Sequence, residues 1–138
     1  MWDSTYGSKN RDALATAKIT KDGGIILGGS SYSPRYGDKS EDFLGNNDYW
    51  VVKLDSTGHE QWDKTIGGSL SDYLTSIDLV ANNGYILAGY SNSPKSFNKT
   101  KACKGTFLTN KQKEGGLMKL TVLHGLKESN IHKNSSLC

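Results

Sequence analysis

Apolar residues along this chain come in short runs rich in β-branched and aromatic side chains, each bounded by glycine or an Asx-containing turn. Runs of this kind predict β-strands, because branched and aromatic side chains pack well on a pleated, half-buried surface. Four are read in the first half of the chain: Ala13 to Ile19, Gly24 to Ser31 (GIILGGSS), Asp48 to Leu54 (DYWVVKL) and His59 to Ile66 (HEQWDKTI). Between the last two, Asp55-Ser56-Thr57-Gly58 predicts a tight hairpin turn in which Gly58 takes a positive φ without a Cβ clash. No apolar run approaches the roughly 18 residues of a membrane helix.

The pattern repeats. Sliding the chain by 60 places Trp2, Asp3, Thr5 and Gly7 on Trp62, Asp63, Thr65 and Gly67, and Asp12 and Leu14 on Asp72 and Leu74. Gly24, Ile26, Leu27 and Gly29 fall on Gly84, Ile86, Leu87 and Gly89, and Ser31, Ser33 and Pro34 on Ser91, Ser93 and Pro94. These are 13 identities over the 33 positions from 2 to 34 without a gap, where unrelated sequences give roughly two. The reading is therefore a first β repeat over residues 1–60, a partial second over 61–107, and a divergent, poorly ordered basic tail over 108–138. The recurring Trp2 and Trp62, with Trp50 and the Ile-Leu pairs, read as core packing between neighbouring sheets. Gly24, Gly84, Gly29 and Gly89 read as turn and close-packing positions. Asp12 and Asp72, like Asp3 and Asp63, read as acceptors of turn hydrogen bonds.

Composition supports an all-β class: 16 glycines and 2 prolines in 138 residues, with 35% hydrophobic content and a mean hydropathy of -0.58, suit many short strands around a thin core. Met1-Trp2-Asp3-Ser4 carries no signal-peptide pattern. Cys103 and Cys138 make at most one bridge and leave the redox compartment open.

The second copy departs from the pattern after Pro94. Lys99 and Gly105 still follow Lys39 and Gly45 by 60, but Leu108 to Gly115 stands where DYWVVKLD belongs. A shift of 66 instead lays Leu117 to Leu120 on Val51 to Leu54, a degenerate strand after an insertion. The charge changes here too. Residues 1–94 hold 8 basic and 12 acidic side chains, whereas residues 95–138 hold 9 and 2. The tail has no arginine and only Phe97 and Phe107 as aromatics, so nucleic-acid binding is not expected. A truncated or frame-shifted reading of a longer gene and a native disordered tail both account for it.

Catalytic constellations are not found: His59, His124 and His132 share no ligand spacing, and no nucleophile elbow or phosphate loop is present. One loop is oxygen-rich, with Asp38, Glu41, Asp42 and Asp48 close together, and is the candidate cation site, with Ca²⁺ as the fitting ion. Lys39 among these ligands, and their replacement by Asn98, Lys99, Thr100, Lys101 and Ala102 in the second copy, favour a solvated loop.

The order W-D-x-T-x-G, D-x-L, G-x-I-L-x-G-x-S-x-S-P, G-D-K-S-E and N-D-Y-W-V-V-K-L-D-x-x-G over residues 2 to about 105 resembles the propeller-type repeats of large secreted proteins of gliding bacteria. Proteins of that kind resemble type IX secretion cargo. The resemblance implies a β-propeller-like fragment of about one and a half to two four-stranded blades, with secretion or cell-surface display. It brings no catalytic residues. The segment Lys53 to Trp62 also resembles the A-x-D-x-x-T-G-x-x-x-W turn of quinoprotein propellers, in that turn alone. The expected role is non-catalytic: neighbouring repeats are the primary partners, and protein or glycan meets the loops at one end. A scaffold beside a hydrolase domain outside this chain, or an interaction module using the basic tail, are the alternatives.

Overall fold

A computed structural model describes residues 1–99, 117–123 and 136–137. Eight strands form two four-stranded antiparallel sheets. Sheet 1 has the order β1 (Arg11–Ile19), β2 (Ile25–Tyr32), β3 (Asp48–Leu54), β4 (Glu60–Ile66). Sheet 2 has β5 (Asp72–Val80), β6 (Gly84–Ser91), β7 (Leu117–Leu123), β8 (Ser136–Leu137) in the same simple up-and-down order. A 3₁₀ turn, Ala81–Asn83, joins β5 to β6, and no α-helix occurs among the described residues. None of those residues forms a helix long and apolar enough to cross a membrane.

The all-β class is therefore observed, and the four strands of the first repeat sit where the residue pattern places them. Differences are confined to ends: β1 starts two residues earlier, at Arg11, while β2 and β4 start at Ile25 and Glu60. The β3–β4 hairpin closes as expected, with the Gly58 amide donating to the Asp55 carbonyl (3.2 Å) and Gly58 at φ 88°. Asp55 adds an Asx turn, its Oδ1 accepting from the Thr57 and His59 amides at 2.8 and 3.0 Å.

The two sheets match at a detail that the residue pattern does not show. Both first strands carry an irregularity at one repeat position, between Leu14 and Thr16 in β1 and between Leu74 and Ser76 in β5. The bulge presses a carbonyl onto the neighbouring strand. A Cβ on Gly29 would lie far inside contact distance of the Ala13 carbonyl oxygen, and one on Gly89 would do the same to Tyr73. That close approach explains why glycine recurs at 29 and 89.

In β7 the structure corrects the expected alignment. Ser31 pairs with Asp48 in sheet 1 and Ser91 with Leu117 in sheet 2. The third strand thus lies 69 residues along (48 to 117), not 66, and Leu117, Met118 and Leu120 take the places of Asp48, Tyr49 and Val51. Two stretches of the 108–138 tail are accordingly strands, Leu117–Leu123 and Ser136–Leu137. Thr100 to Gly105, Phe107, His124, His132 and Cys138, with the rest of the tail, lie outside the described residues.

The sheets stack face to face. Ile26, Tyr49, Val51 and Ile66 of sheet 1 enclose Leu74, Ile77, Tyr85 and Leu87 of sheet 2, with Trp62 and Leu79 at the margin. Trp62 meets Tyr85 edge-on at 6.0 Å. Burial of this shared core is what holds one sheet on the other. On the opposite face of sheet 1, Trp50, Val52 and Leu54 pack with Ile25, Leu27 and Tyr6.

Candidate functional site

The chemistry-bearing side chains gather where one sheet hands over to the next, and the same hydrogen bonds appear twice, 60 residues apart. The Gly7 amide donates to Asp38 Oδ2 (2.9 Å), and the Gly67 amide to Asn98 Oδ1 (3.3 Å). Asp12 accepts from the Ser8 amide (2.7 Å), and Asp72 from the Gly68 amide (2.8 Å). The Asn10 amide donates to Ser33 Oγ (3.2 Å), and the Leu70 amide to Ser93 Oγ (3.0 Å). Each Ser-Pro corner folds back in a small bridge, Tyr36 with Lys39 and Ser96 with Lys99. The two corners also share a left-handed residue, Gly37 at φ 61° and Phe97 at φ 47°.

Each corner ends in a buried lysine. Lys39 is 1% exposed, and its Nζ donates to the Glu41 carbonyl (2.5 Å) and Thr65 Oγ1 (2.6 Å). Burial pushes its pKa below the usual lysine value, while Asp63, Asp48, Glu41 and Asp42 oppose that shift. Lys99, also 1% exposed, reaches Ser91 Oγ (2.9 Å) and the Ser93 carbonyl. A buried lysine side chain with hydrogen-bonded partners thus holds the same place in each corner. The residue pattern shows that lysine recurs at 39 and 99, but not that it is buried.

The four candidate cation ligands do not converge on one point. Asp38 accepts from Gly7, and Asp42 Oδ1 from the Arg35 amide at 2.9 Å. Glu41 accepts from Lys64 Nζ and from the Thr65 amide (2.8 Å). Asp48 Oδ2 takes the Leu44 and Gly45 amides at 2.7 and 3.1 Å. Asp48 is buried, which raises its pKa, and its Oδ1 has no hydrogen-bond partner. Among the described residues no three His, Cys, Asp or Glu side chains come together as a metal site.

The recurring residues have distinct surroundings. Trp50 is buried and its Nε1 donates to Asp63 Oδ2 (2.8 Å), which also holds the Ser40 amide (3.0 Å). Trp2 is exposed and lies against Gly58, where a Cβ would fall 2.7 Å from its ring; the Tyr6 hydroxyl donates to the carbonyl of that glycine. Gly24 packs tightly on the Leu54 carbonyl and Lys53 Nζ, while Gly84 caps the 3₁₀ turn in extended backbone. Lys53 is anchored by Asp22 at 3.0 Å. Thr20 and Lys53 hold the Asp22 carboxyl down at about 2.

Among the described residues two surfaces stand out. One is the sheet end where β1 and β5 begin. There Tyr32 stacks on Phe43 at 6.3 Å and Tyr73 leans on Tyr90 at 5.7 Å. Asn47 donates to the Tyr73 hydroxyl (3.2 Å). The other is a groove of about 460 Å³ on the outer face of sheet 1, lined by Trp2, Leu14, Ile25, Leu27 and Trp50 among others.

No protein-family model, no curated protein and no solved structure matches the chain.

Proposed function

We propose that the chain is a non-catalytic segment of a β-propeller-type repeat protein, secreted or displayed at a cell surface, whose sheets serve as stacking units. The observation that carries the reading is the hydrogen-bonded junction that recurs at a 60-residue interval with the same donors and acceptors. A junction built twice from the same parts is what an array of identical neighbours requires, and a catalytic centre has no need of it. In this reading the primary partners are adjacent repeats. The exposed aromatic pairs Tyr32–Phe43 and Tyr73–Tyr90 give the sheet end a surface for protein or glycan.

The test is a tandem protein in which residues 2–61 are duplicated in frame ahead of residue 2. Each repeat in an array is stabilised by its neighbours, so one cooperative unfolding transition at a higher urea midpoint is expected. An unchanged midpoint, or a second separate transition for the added copy, overturns the reading.

A further inference from the structure

Leu14 and Leu74 hold the same repeat position, yet Leu74 is 5% exposed and Leu14 is 69% exposed. Ile19, at the position of the half-buried Leu79, is likewise exposed at 75%. The difference has one cause: sheet 1 covers the inner face of sheet 2, and among the described residues no sheet covers the equivalent face of sheet 1. The groove of about 460 Å³ is the part left open.

The shape of that opening indicates what fills it. In the internal interface a Cβ on Gly28 would fall inside contact distance of Ile77 Cδ1 and Leu74 Cδ2, so the bulk of Ile77 requires a glycine opposite. At the two outer faces both members change size. Gly28 becomes Ala88, which lies on the outer face of sheet 2 because the adjacent Leu87 points into the core. Ile77 becomes Ala17, which shares its face with Leu27 just as Ile77 does with Leu87. The residue that grows and the residue that shrinks are the two that meet if the outer faces dock. Ile86 stands at the position of Ile26, and the strand register puts Met118 and Leu120 at those of Tyr49 and Val51. Tyr90 takes the place of Ser30, whose Oγ accepts from the Leu74 amide (3.0 Å), so an aromatic ring replaces that hydrogen bond.

Residues 2–8 mark the seat. They carry the W-D-x-T-x-G pattern of the segment that begins in β4. Gly7 bonds to Asp38 on the corner after β2, as Gly67 bonds to Asn98 on the corner after β6. By that equivalence they stand to sheet 1 as the end of β4 and its exit stand to sheet 2.

We propose that the outer face of sheet 1 docks the outer face of sheet 2 of a second copy of this chain, head to tail. The inference rests on the repeat reading above. The two docking surfaces are different, so the contact is heterologous and each end copy of an assembly keeps one unpaired docking face; association continues beyond the dimer.

The experiment is sedimentation velocity across the micromolar range on the wild type, on Leu14→Asp and on Ala88→Asp, alone and mixed. Tyr90→Asp serves as a second block of the sheet 2 face, because Tyr90 is already exposed and its replacement leaves the core intact. Wild type is expected to grow beyond dimer with concentration. Each variant alone stays monomeric, its self-association weakened by at least about tenfold. An equimolar mixture of a sheet 1 variant and a sheet 2 variant forms a dimer and stops, because one intact face of each kind remains. A wild type that stays monomeric, a single variant that dimerises alone, or a mixture that fails to pair overturns the proposal. The tandem-repeat experiment reads the stacking reading separately: a stabilised tandem with a monomeric wild type would sink only the docking.

Discussion

Leu74→Ala and Leu14→Ala form a matched pair, one repeat position in two environments. Truncating Leu to Ala removes about three methyl or methylene groups, each contributing roughly 0.8 kcal/mol when fully withdrawn from water. Leu74 is 5% exposed and packed against Ile26, Tyr49 and Val51. It loses nearly all of that transfer term and leaves a cavity, so a cost of about 3 kcal/mol is expected, within the range for core leucines. Leu14, at 69% exposure, has little transfer term to lose and its space fills with water, so its cost is below about 1 kcal/mol. The assay is urea unfolding of dilute monomer. With a slope of about 1–3 kcal/mol per molar urea, Leu74→Ala moves the midpoint down by roughly 1–3 M and Leu14→Ala by a few tenths. Equal shifts, or a larger one for Leu14, would refute the argument that sheet 1 buries sheet 2 and leaves its own far side open.

Two further outcomes follow from single residues. Phe97 is held at φ 47° where the first corner uses Gly37, so Phe97→Gly removes a left-handed penalty of about 1–2 kcal/mol against a smaller entropy cost; chemical denaturation should show a gain of about 0.5–1 kcal/mol, and a loss would mean that the Phe97 ring contributes packing. The Glu60 carboxyl is pushed up to about 6 by desolvation first and by Asp63 and Asp38 next. A raised folded pKa means that the fold holds this proton where the unfolded chain has released it. The resulting stability is present below about 4.5 and is lost as pH rises through about 6. Carboxyl-carbon NMR should place the Glu60 midpoint near 6, and Glu60→Gln should flatten the stability profile between those limits; a midpoint near 4.5 would refute the assignment.

The strands of the first repeat are legible in the residues because DYWVVKL and GIILGGSS are read against clear turn signals, and the 60-residue identity then carries β5 and β6. β7 is not legible in the same way. Its run, Leu117–Leu123, lacks the aromatic pair of β3, and the chain before it is longer than one period. Only the pairing with β6 sets its place. The bulge at Leu14 and Leu74 leaves a trace in the paired glycines at 29 and 89, but reading it needs the neighbouring carbonyl. The carboxylates Asp38, Glu41, Asp42 and Asp48 lie close in sequence, which suggests a cation site. In space each turns to a different amide, with Lys64 as a further donor to Glu41, and the buried Lys39 side chain stands among them. Proximity along a loop does not say which way a side chain points.

The junction combines two kinds of interaction with different tolerance for change. Its polar part recurs at matching positions: a carboxylate at 12 and 72, a serine hydroxyl at 33 and 93, an amide or carboxylate oxygen at 98 and 38, a lysine at 39 and 99. Such bonds are directional, and a buried donor or acceptor left unpaired is costly, so a shift of one sheet along the next would leave several unpaired at once. They fix register and angle. The apolar part is bound only by volume, because dispersion and burial have no preferred direction. Inside, Gly28 faces the bulk of Ile77; at the equivalent outer positions Ala88 is larger than Gly28 and Ala17 smaller than Ile77. A repeat built this way keeps its stacking geometry while its faces vary in detail, provided that a larger residue on one face is met by a smaller one on the next. That condition is the one that the proposed docking of the two outer faces has to meet, with the larger Ala88 on one and the smaller Ala17 on the other.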